Sequence, residues 1–268
     1  MRRSHALLIV IAPAVAMLAA LYAVRSAPAP VAEPAPLPAP SLAPAETAPP
    51  APQAALPLAP EPAPPRVTLV AVGDIMLSRT VGKTIAAKGD VRFPYLRMRD
   101  WLRGADIAFA NLETSVTPGR PVGQGEMLFR ADPGTVDGLA DAGFDVLSLA
   151  NNHTPNFGQK GLKDTFRYLR EAGIAFAGAG EDAAAARAPA VIERGGMRFA
   201  FLAFNDTDVV PASYAAGPAH AGTAFMDVAA MTEEVREARQ TADVVIVSMH
   251  SGREYAYVPD ASQVRFAR

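Results

Sequence analysis

"FDVLSLANNHTPNFGQKGLKDTFRYLREAG", residues 144–173, contains two periodicities with a polar hinge between them. Its first part, "FDVLSLA" (144–150), is short and apolar, the pattern of a buried strand. Its last part sets Leu162, Phe166 and Leu169 on one helical face and closes at Gly173. Between them stand Asn151, Asn152 and His153. Polar groups are costly to bury unpaired, so a strand that runs into two amides and an imidazole needs partners for them. Asparagine also tolerates left-handed turns, so the triplet reads either as a plain turn or as part of a site.

The same alternation recurs on both sides. "VTLVAVG" (67–73), "DIAFANL" (106–112), "RFAFLAF" (198–204) and "DVVIVSM" (243–249) read as further buried strands. Asp132-Pro133 has the form of an N-cap with proline at the first helical position. Val136, Leu139 and Ala140 supply the apolar side of that helix, and Gly143 follows its end. A third helix is predicted from Asp227 to Thr241. Strand–helix alternation argues an α/β domain. "PAVIERGGMRFAFLAF" (189–204) adds a hairpin around Gly195-Gly196, so the sheet is expected to be mixed. There is no internal repeat.

Outside this region the composition changes. Met1-Arg2-Arg3 is basic and Ala6 to Val24 is uncharged and almost wholly apolar, about the length that crosses a hydrocarbon core as a helix. Residues 1–26 therefore read as an uncleaved signal anchor or a cleaved signal peptide. Ala27-Pro28-Ala29 resembles a cleavage site, but Pro30 is a poor residue after the cut, and the length favours the anchor. Either way the basic start stays in the cytoplasm and the rest is exported, attached to the inner membrane with a periplasmic domain or secreted. Residues 27–65 are nearly all Pro and Ala, a composition for a disordered or polyproline-like spacer of ~100 Å. The folded domain is expected over 66–268. Half the 268 residues are hydrophobic, enough for a sizeable core, and the formal net charge is −2. With no basic clustering beyond the N-terminus, nucleic acid is not an expected partner. There is no cysteine, so any metal must be held by oxygen and imidazole.

Polar residues gather where strands end. The first strand runs into Asp74, the second into Asn111 and Glu113, the third into Asn151, Asn152 and His153, and the last into His250. Ligands of open α/β sheets bind beyond the carboxyl ends of the strands. Parallel neighbours would bring these groups to one rim, a donor set suited to one or two divalent cations. Two metals bridged by a carboxylate are a common device of phosphoryl chemistry. Taken singly, each residue has a plainer reading: Asp74 as a turn, Glu113 as a solvated loop residue, His153 and His250 as structural histidines. Asp206 and Asp208 read as a capped turn and His220 as a surface residue. Arg253 and Glu254 read either as contacts to an anionic substrate and a ligand or as a surface pair.

At these residues the sequence resembles the CapA family of bacterial poly-γ-glutamate capsule synthesis proteins. The pieces that carry the resemblance are "VGDIMLSR" (72–79), "ANLETSVT" (110–117), "FRADPG" (129–134), "GFDVLSLANNHTPNFGQKGLKDT" (143–165), "AGAGED" (177–182) and "HSGREYAYVP" (250–259). The resemblance implies a metallophosphoesterase-like four-layer α/β/β/α sandwich with mixed sheets. It implies metal ligation by Asp74, Glu113, Asn152 and His250, with manganese, zinc or iron as the divalent ion. His153 is then the catalytic group, a general acid or an oxyanion donor, and Asn111, Asn151, Arg253 and Glu254 lie against substrate. Three departures stand out. Asn156 replaces the family's usual aspartate, Ser251 its usual tryptophan, and the family's pattern continues past Arg268 with a further strand and a glycine–histidine–x–histidine-like motif, so the chain reads as an incomplete copy. The function implied is synthesis or export of an anionic cell-surface polymer, alone or with its synthesis machinery, at a membrane reached through the N-terminal helix. A broader envelope metallophosphoesterase and a non-catalytic scaffold binding polymer or partner proteins through the same rim are the other readings.

Overall fold

The computed structural model describes residues 66–208 and 210–268. The expected anchor or signal at 1–26 and the spacer at 27–65 lie outside the described residues. Among the described residues no helix is long and apolar enough to cross a membrane.

In chain order the strands are β1 (Leu69–Ile75), β2 (Ile107–Leu112), β3 (Ser115–Val116), β4 (Arg130–Ala131), β5 (Val146–Ser148), β6 (Ala175–Ala177), β7 (Ala179–Gly180), β8 (Ala190–Arg194), β9 (Met197–Asn205), β10 (Gly222–Thr223) and β11 (Val244–His250). The α-helices are α1 (Arg79–Lys88), α2 (Arg99–Arg103), α3 (Thr135–Ala142), α4 (Gly158–Glu171), α5 (Ala183–Arg187), α6 (Val228–Thr241) and α7 (Ala261–Ala267). Two main sheets result. The first is parallel throughout, in the order β1-β2-β5-β6, and the second is mixed, in the order β11-β9-β8.

Three apolar clusters stack these sheets into four layers. Ala108, Ala110, Leu112 and Leu147 of the first sheet, with Leu149 just after β5, pack on Ile85, Leu139, Leu162, Phe166 and Leu169 of the helices. The opposite face, with Ile107, Phe109 and Val146, packs on Phe199, Phe201 and Ala203 of the second sheet. Phe109 and Phe201 stack across that interface at 5.4 Å. The outer face of the second sheet, with Ala200, Leu202 and Phe204, is covered by Met231 and Ala238 of α6 and by Ala186 of α5. Strand alternation thus sends neighbouring residues to different layers. Every residue of β2 is buried, because it lies in the interior of the first sheet with both faces covered. This is the four-layer α/β/β/α sandwich expected from the resemblance.

Local features follow the sequence, with one shift. The β8–β9 hairpin turns at Gly195 and Gly196, both at positive φ (58° and 74°), as a two-residue primed turn demands. The Asp227 side chain caps α6 by accepting from Ala230 N at 2.8 Å. Helix α3 starts at Thr135 rather than directly after Asp132. The Asp132 carboxylate pairs with Arg130 at 2.7 Å instead of capping, and its carbonyl accepts from the Thr135 backbone and hydroxyl. A turn therefore precedes the helix.

Candidate metal centre

Parallel pairing of β1, β2 and β5 carries their polar ends to one side of the first sheet, and β11 brings His250 there from the second. A bulge in β1 aims the first of these groups. Leu69, Val70 and Ala71 pair with Ile107, Ala108 and Phe109, but the register slips by one residue before Asp74, which pairs with Asn111. In parallel strands paired residues share a face, so the extra residue turns the Asp74 carboxylate toward Asn111 and away from the helix-facing side occupied by Leu112. Asn111 Nδ2 donates to Asp74 Oδ1 at 2.8 Å.

Glu113 follows directly. Its backbone N–H donates to Ile75 O at 3.0 Å, and the neighbouring Thr114 hydroxyl accepts from Leu77 N at 3.0 Å, which ties the loops after β1 and β2 together. Its side chain is only 15% exposed. Burial, and after it the adjacent Asp74 carboxylate, pushes the Glu113 carboxyl up to about 7.

Asn151 organises the next segment. It is fully buried, and its Oδ1 accepts from His153 N (3.0 Å), Thr154 N (2.7 Å) and Thr154 Oγ1 (2.9 Å). Its Nδ2 donates to Asn111 Oδ1 (3.0 Å) and to Leu112 O (2.9 Å). Both faces of the amide are consumed, so Asn151 offers nothing to a ligand and instead locks β2 to the turn after β5. Asn151 makes the turn, and Asn152 and His153 lie beside His250 and Glu113.

His250 Nε2 stands 3.0 Å from Asn152 Oδ1 and 3.8 Å from Glu113 Oε1, and its Nδ1 is 3.4 Å from Asn111 Nδ2. An amide oxygen accepts and an amide nitrogen donates, so the ring fits the Nε2–H tautomer with Nδ1 accepting. Burial holds this imidazole below its ordinary titration range, against the opposing pull of Asp74. His153 Nδ1 is 2.9 Å from Asn156 Oδ1, which makes Nδ1 the donor and leaves the lone pair on Nε2, 3.8 Å from Glu113 Oε1. Its ring stacks on Phe129 at 3.7 Å. Burial is the main cause that lowers its pKa, and the Arg79 cation adds to it.

Asp74, Glu113 and His250 thus offer donor atoms that all lie within 4.8 Å of one another, a group that could hold a metal ion. The chemistry of the set suits a divalent cation. Two carboxylates and an imidazole are common oxygen and nitrogen ligands, and the crowding that raises Glu113 is the kind a cation relieves.

The profile of the family described as "Bacterial capsule synthesis protein PGA_cap" matches residues 68–268. The chain belongs to this family. Among curated proteins it is similar to "Capsule biosynthesis protein CapA" of Bacillus anthracis, 30% identical over 211 residues, covering 76% of this chain and 51% of the relative. It is also similar to "PGA biosynthesis protein CapA" of Bacillus subtilis (strain 168), 32% identical over 201 residues, 74% of this chain and 52% of the relative. A third is the "Probable polyglutamine synthesis accessory protein Rv0574c" of Mycobacterium tuberculosis (strain ATCC 25618 / H37Rv), 32% identical over 209 residues, 74% and 55%. The chain spans about half the length of these curated relatives.

Of the PGA_cap member's expected site residues, Asp74, Asn111, Glu113, Asn151, Asn152, His153 and His250 come together. Arg253 and Glu254 follow β11 on an exposed loop, and among the described residues no ion pair joins them to each other. The Glu254 charge is nevertheless felt at Glu113 and His153. His220 is exposed, as expected, and Asp206 makes a turn in which Oδ1 accepts from Asp208 N at 3.1 Å. Sequence reasoning missed Phe129 and Arg79. Both lie in "FRADPG" and "VGDIMLSR", yet neither directly follows a strand end.

Proposed function

We propose that the chain acts in the synthesis or export of an anionic cell-surface polymer of the poly-γ-glutamate type, through a divalent-cation centre of Asp74, Glu113 and His250 with Asn152 beside it. The observation that carries this reading is the convergence of three donor atoms within 4.8 Å from two different sheets. The names of the relatives, "Capsule biosynthesis protein" and "PGA biosynthesis protein", supply the polymer class. The basic start and apolar run before Arg25 support attachment of the chain to the cell envelope.

When bound, a divalent cation would polarise a substrate oxygen and lower the pKa of a coordinated water. The chain's own residues do the rest. Asn111 and Asn152 orient Asp74 and His250. His153, neutral and with its proton on Nδ1, can act as the expected general acid only after its Nε2 takes up a proton from an attacking water, which it then returns to the leaving oxygen. Phe129 stacks on one face of that ring.

The test is metal analysis of chain purified without chelator, joined to hydrolysis of bis(p-nitrophenyl) phosphate. Manganese, zinc or iron at a stoichiometric level, lost together with hydrolysis in Asp74→Ala, is the expected result. A metal-free chain, or hydrolysis that survives Asp74→Ala, defeats the reading.

A further inference from the structure

The centre described above is acidic: Asp74 and Glu113 line it and Glu254 acts on it from the side. An anionic substrate needs a counter-charge there beyond any metal. Arg79 is the cation in place. Its Cζ lies 5.8 Å from the centroid of Phe129, and Phe129 in turn stacks on His153 at 3.7 Å, so guanidinium, phenyl and imidazole form one tier beside the centre.

Two further features set Arg79 apart. Its Nε is buried with no hydrogen-bond partner, and among the described residues the guanidinium joins no ion pair. Two other arginines with little exposure are paired: Arg130 binds the Thr117 and Arg120 carbonyls and Asp132, and Arg187 binds Glu234 and the Phe225 carbonyl. A buried N–H without an acceptor is a standing cost unless something else supplies the oxygen. The backbone is also held in an unfavourable shape. Arg79 has φ 52°, a left-handed conformation rare for a non-glycine residue, directly after a Ser78 that is 1% exposed and whose Oγ accepts from Arg130 N at 3.0 Å. The backbone is strained, and the buried Nε that it carries has no acceptor.

We propose that Arg79 is the anion-recognition residue of this site, holding a substrate oxyanion, phosphoryl or carboxylate, against the Asp74–Glu113–His250 centre. The inference rests on the metal-centre reading for its location. A guanidinium presents parallel N–H donors that match either oxyanion.

Calorimetric titration of the full manganese-loaded chain with methylphosphonate and, separately, with γ-linked triglutamate tests it. Wild type is expected to bind at least one probe, Arg79→Gln to bind that probe about tenfold or more weakly, and Arg79→Lys to fall between, with manganese affinity unchanged in both variants. The probe that loses affinity identifies the oxyanion. Arg79→Gly controls for folding: glycine adopts φ 52° without strain, so this variant is expected to melt no lower than Arg79→Gln while losing the same affinity. Equal binding by wild type and Arg79→Gln overturns the proposal, as does a wild type that binds neither probe. Repeating the titrations on chelator-treated chain separates the two readings. A chain that takes up no metal but still loses anion binding in Arg79→Gln sinks the metal centre and upholds Arg79.

Discussion

The two sheets contribute to the site in opposite ways. From the first sheet come Asn111, 8% exposed, and Asn151, fully buried, joined to each other and to backbone on both sides. From the second comes His250, at the end of β11, which occupies an edge of its sheet and is only partly buried along its length. The first contribution is a framework whose hydrogen bonds also hold β2 and the turn after β5 in place. The second is a side chain presented at a margin, touching the site through one amide oxygen and one weak amide contact. Stability and chemistry should therefore separate along this line: substitutions on the first sheet disturb both, and those on the second disturb chemistry alone.

The sharpest way to break that contrast is Asn151→Ala. It removes five hydrogen bonds and leaves Asn111 Oδ1 and the His153 and Thr154 N–H groups to find other partners. A loss on the order of 3 kcal/mol in urea unfolding is expected, together with loss of metal uptake, because the turn that carries Asn152 and His153 is released. A variant as stable as wild type would mean that the amide network is decoration.

His250→Ala is the counterpart. Its edge position and its few hydrogen bonds predict a stability change within about 1 kcal/mol, while metal affinity is expected to fall on the order of 100-fold. Dialysis against graded chelator measures the second quantity and urea unfolding the first. Equal damage to stability from Asn151→Ala and His250→Ala would erase the distinction between the sheets.

Between these two halves sits Glu113, and it gives the contrast a pH dependence. In the metal-free chain its carboxyl is pushed up to about 7 from an ordinary 4.5, by burial first and by Asp74 next. Between those values the native state holds a proton that the unfolded state has released, so this group's contribution to stability is lost as pH rises through about 7. His153 and His250 act in the opposite sense. Their lowered pKa values mean that stability is lost as pH falls below the ordinary 6.5. Glu113→Gln isolates the first effect: its melting temperature should gain on wild type by a few degrees near pH 8 and much less near pH 5. Wild type should also take up metal more tightly as pH rises through about 7, since the cation must displace that proton. A gain that does not vary with pH would show that Glu113 is not held protonated.

The same division explains what the sequence disclosed. Strand–helix alternation and the polar strand ends gathered Asp74, Asn111, Glu113, Asn151, Asn152, His153 and His250, because parallel strands must bring their carboxyl ends to one side; the choice of ligands among them came from the resemblance. The assignment of strands to two sheets followed from the resemblance rather than from periodicity, since a buried strand reads alike in either sheet. The bulge that turns Asp74 toward Asn111 has no distinct mark in "VAVGDI" beyond a glycine, which is equally common in plain turns. The role of Asn151 was hidden for a different reason. An asparagine that caps a turn and one that meets a ligand differ only in where their amides point, and that depends on Asn111, 40 residues earlier. Arg79 escaped notice because an arginine at the start of a helix is ordinary until its lack of a partner is visible.

The smallest expected effect concerns Asn156, where the resemblance implies an aspartate. Asn156 Oδ1 accepts from the His153 ring at 2.9 Å and from Phe129 N at 2.8 Å, while Nδ2 donates to Asn152 O at 3.1 Å. An aspartate could keep the first two bonds and would add a negative charge to the nitrogen that already carries the proton. In Asn156→Asp the protonated ring is stabilised, so His153 should titrate higher by about one pH unit, followed by NMR of the ring protons. The exchange also gives up the bond to Asn152 O, so a slight loss of stability is expected beside it. A neutral amide at this position therefore sets the ring's tautomer without raising its basicity, and keeps the Nε2 lone pair free at neutral pH. Titration of His153 unmoved by the new carboxylate would mean that its hydrogen bond to residue 156 does not orient the ring, and that the proton-accepting face assigned to Nε2 must be reassigned.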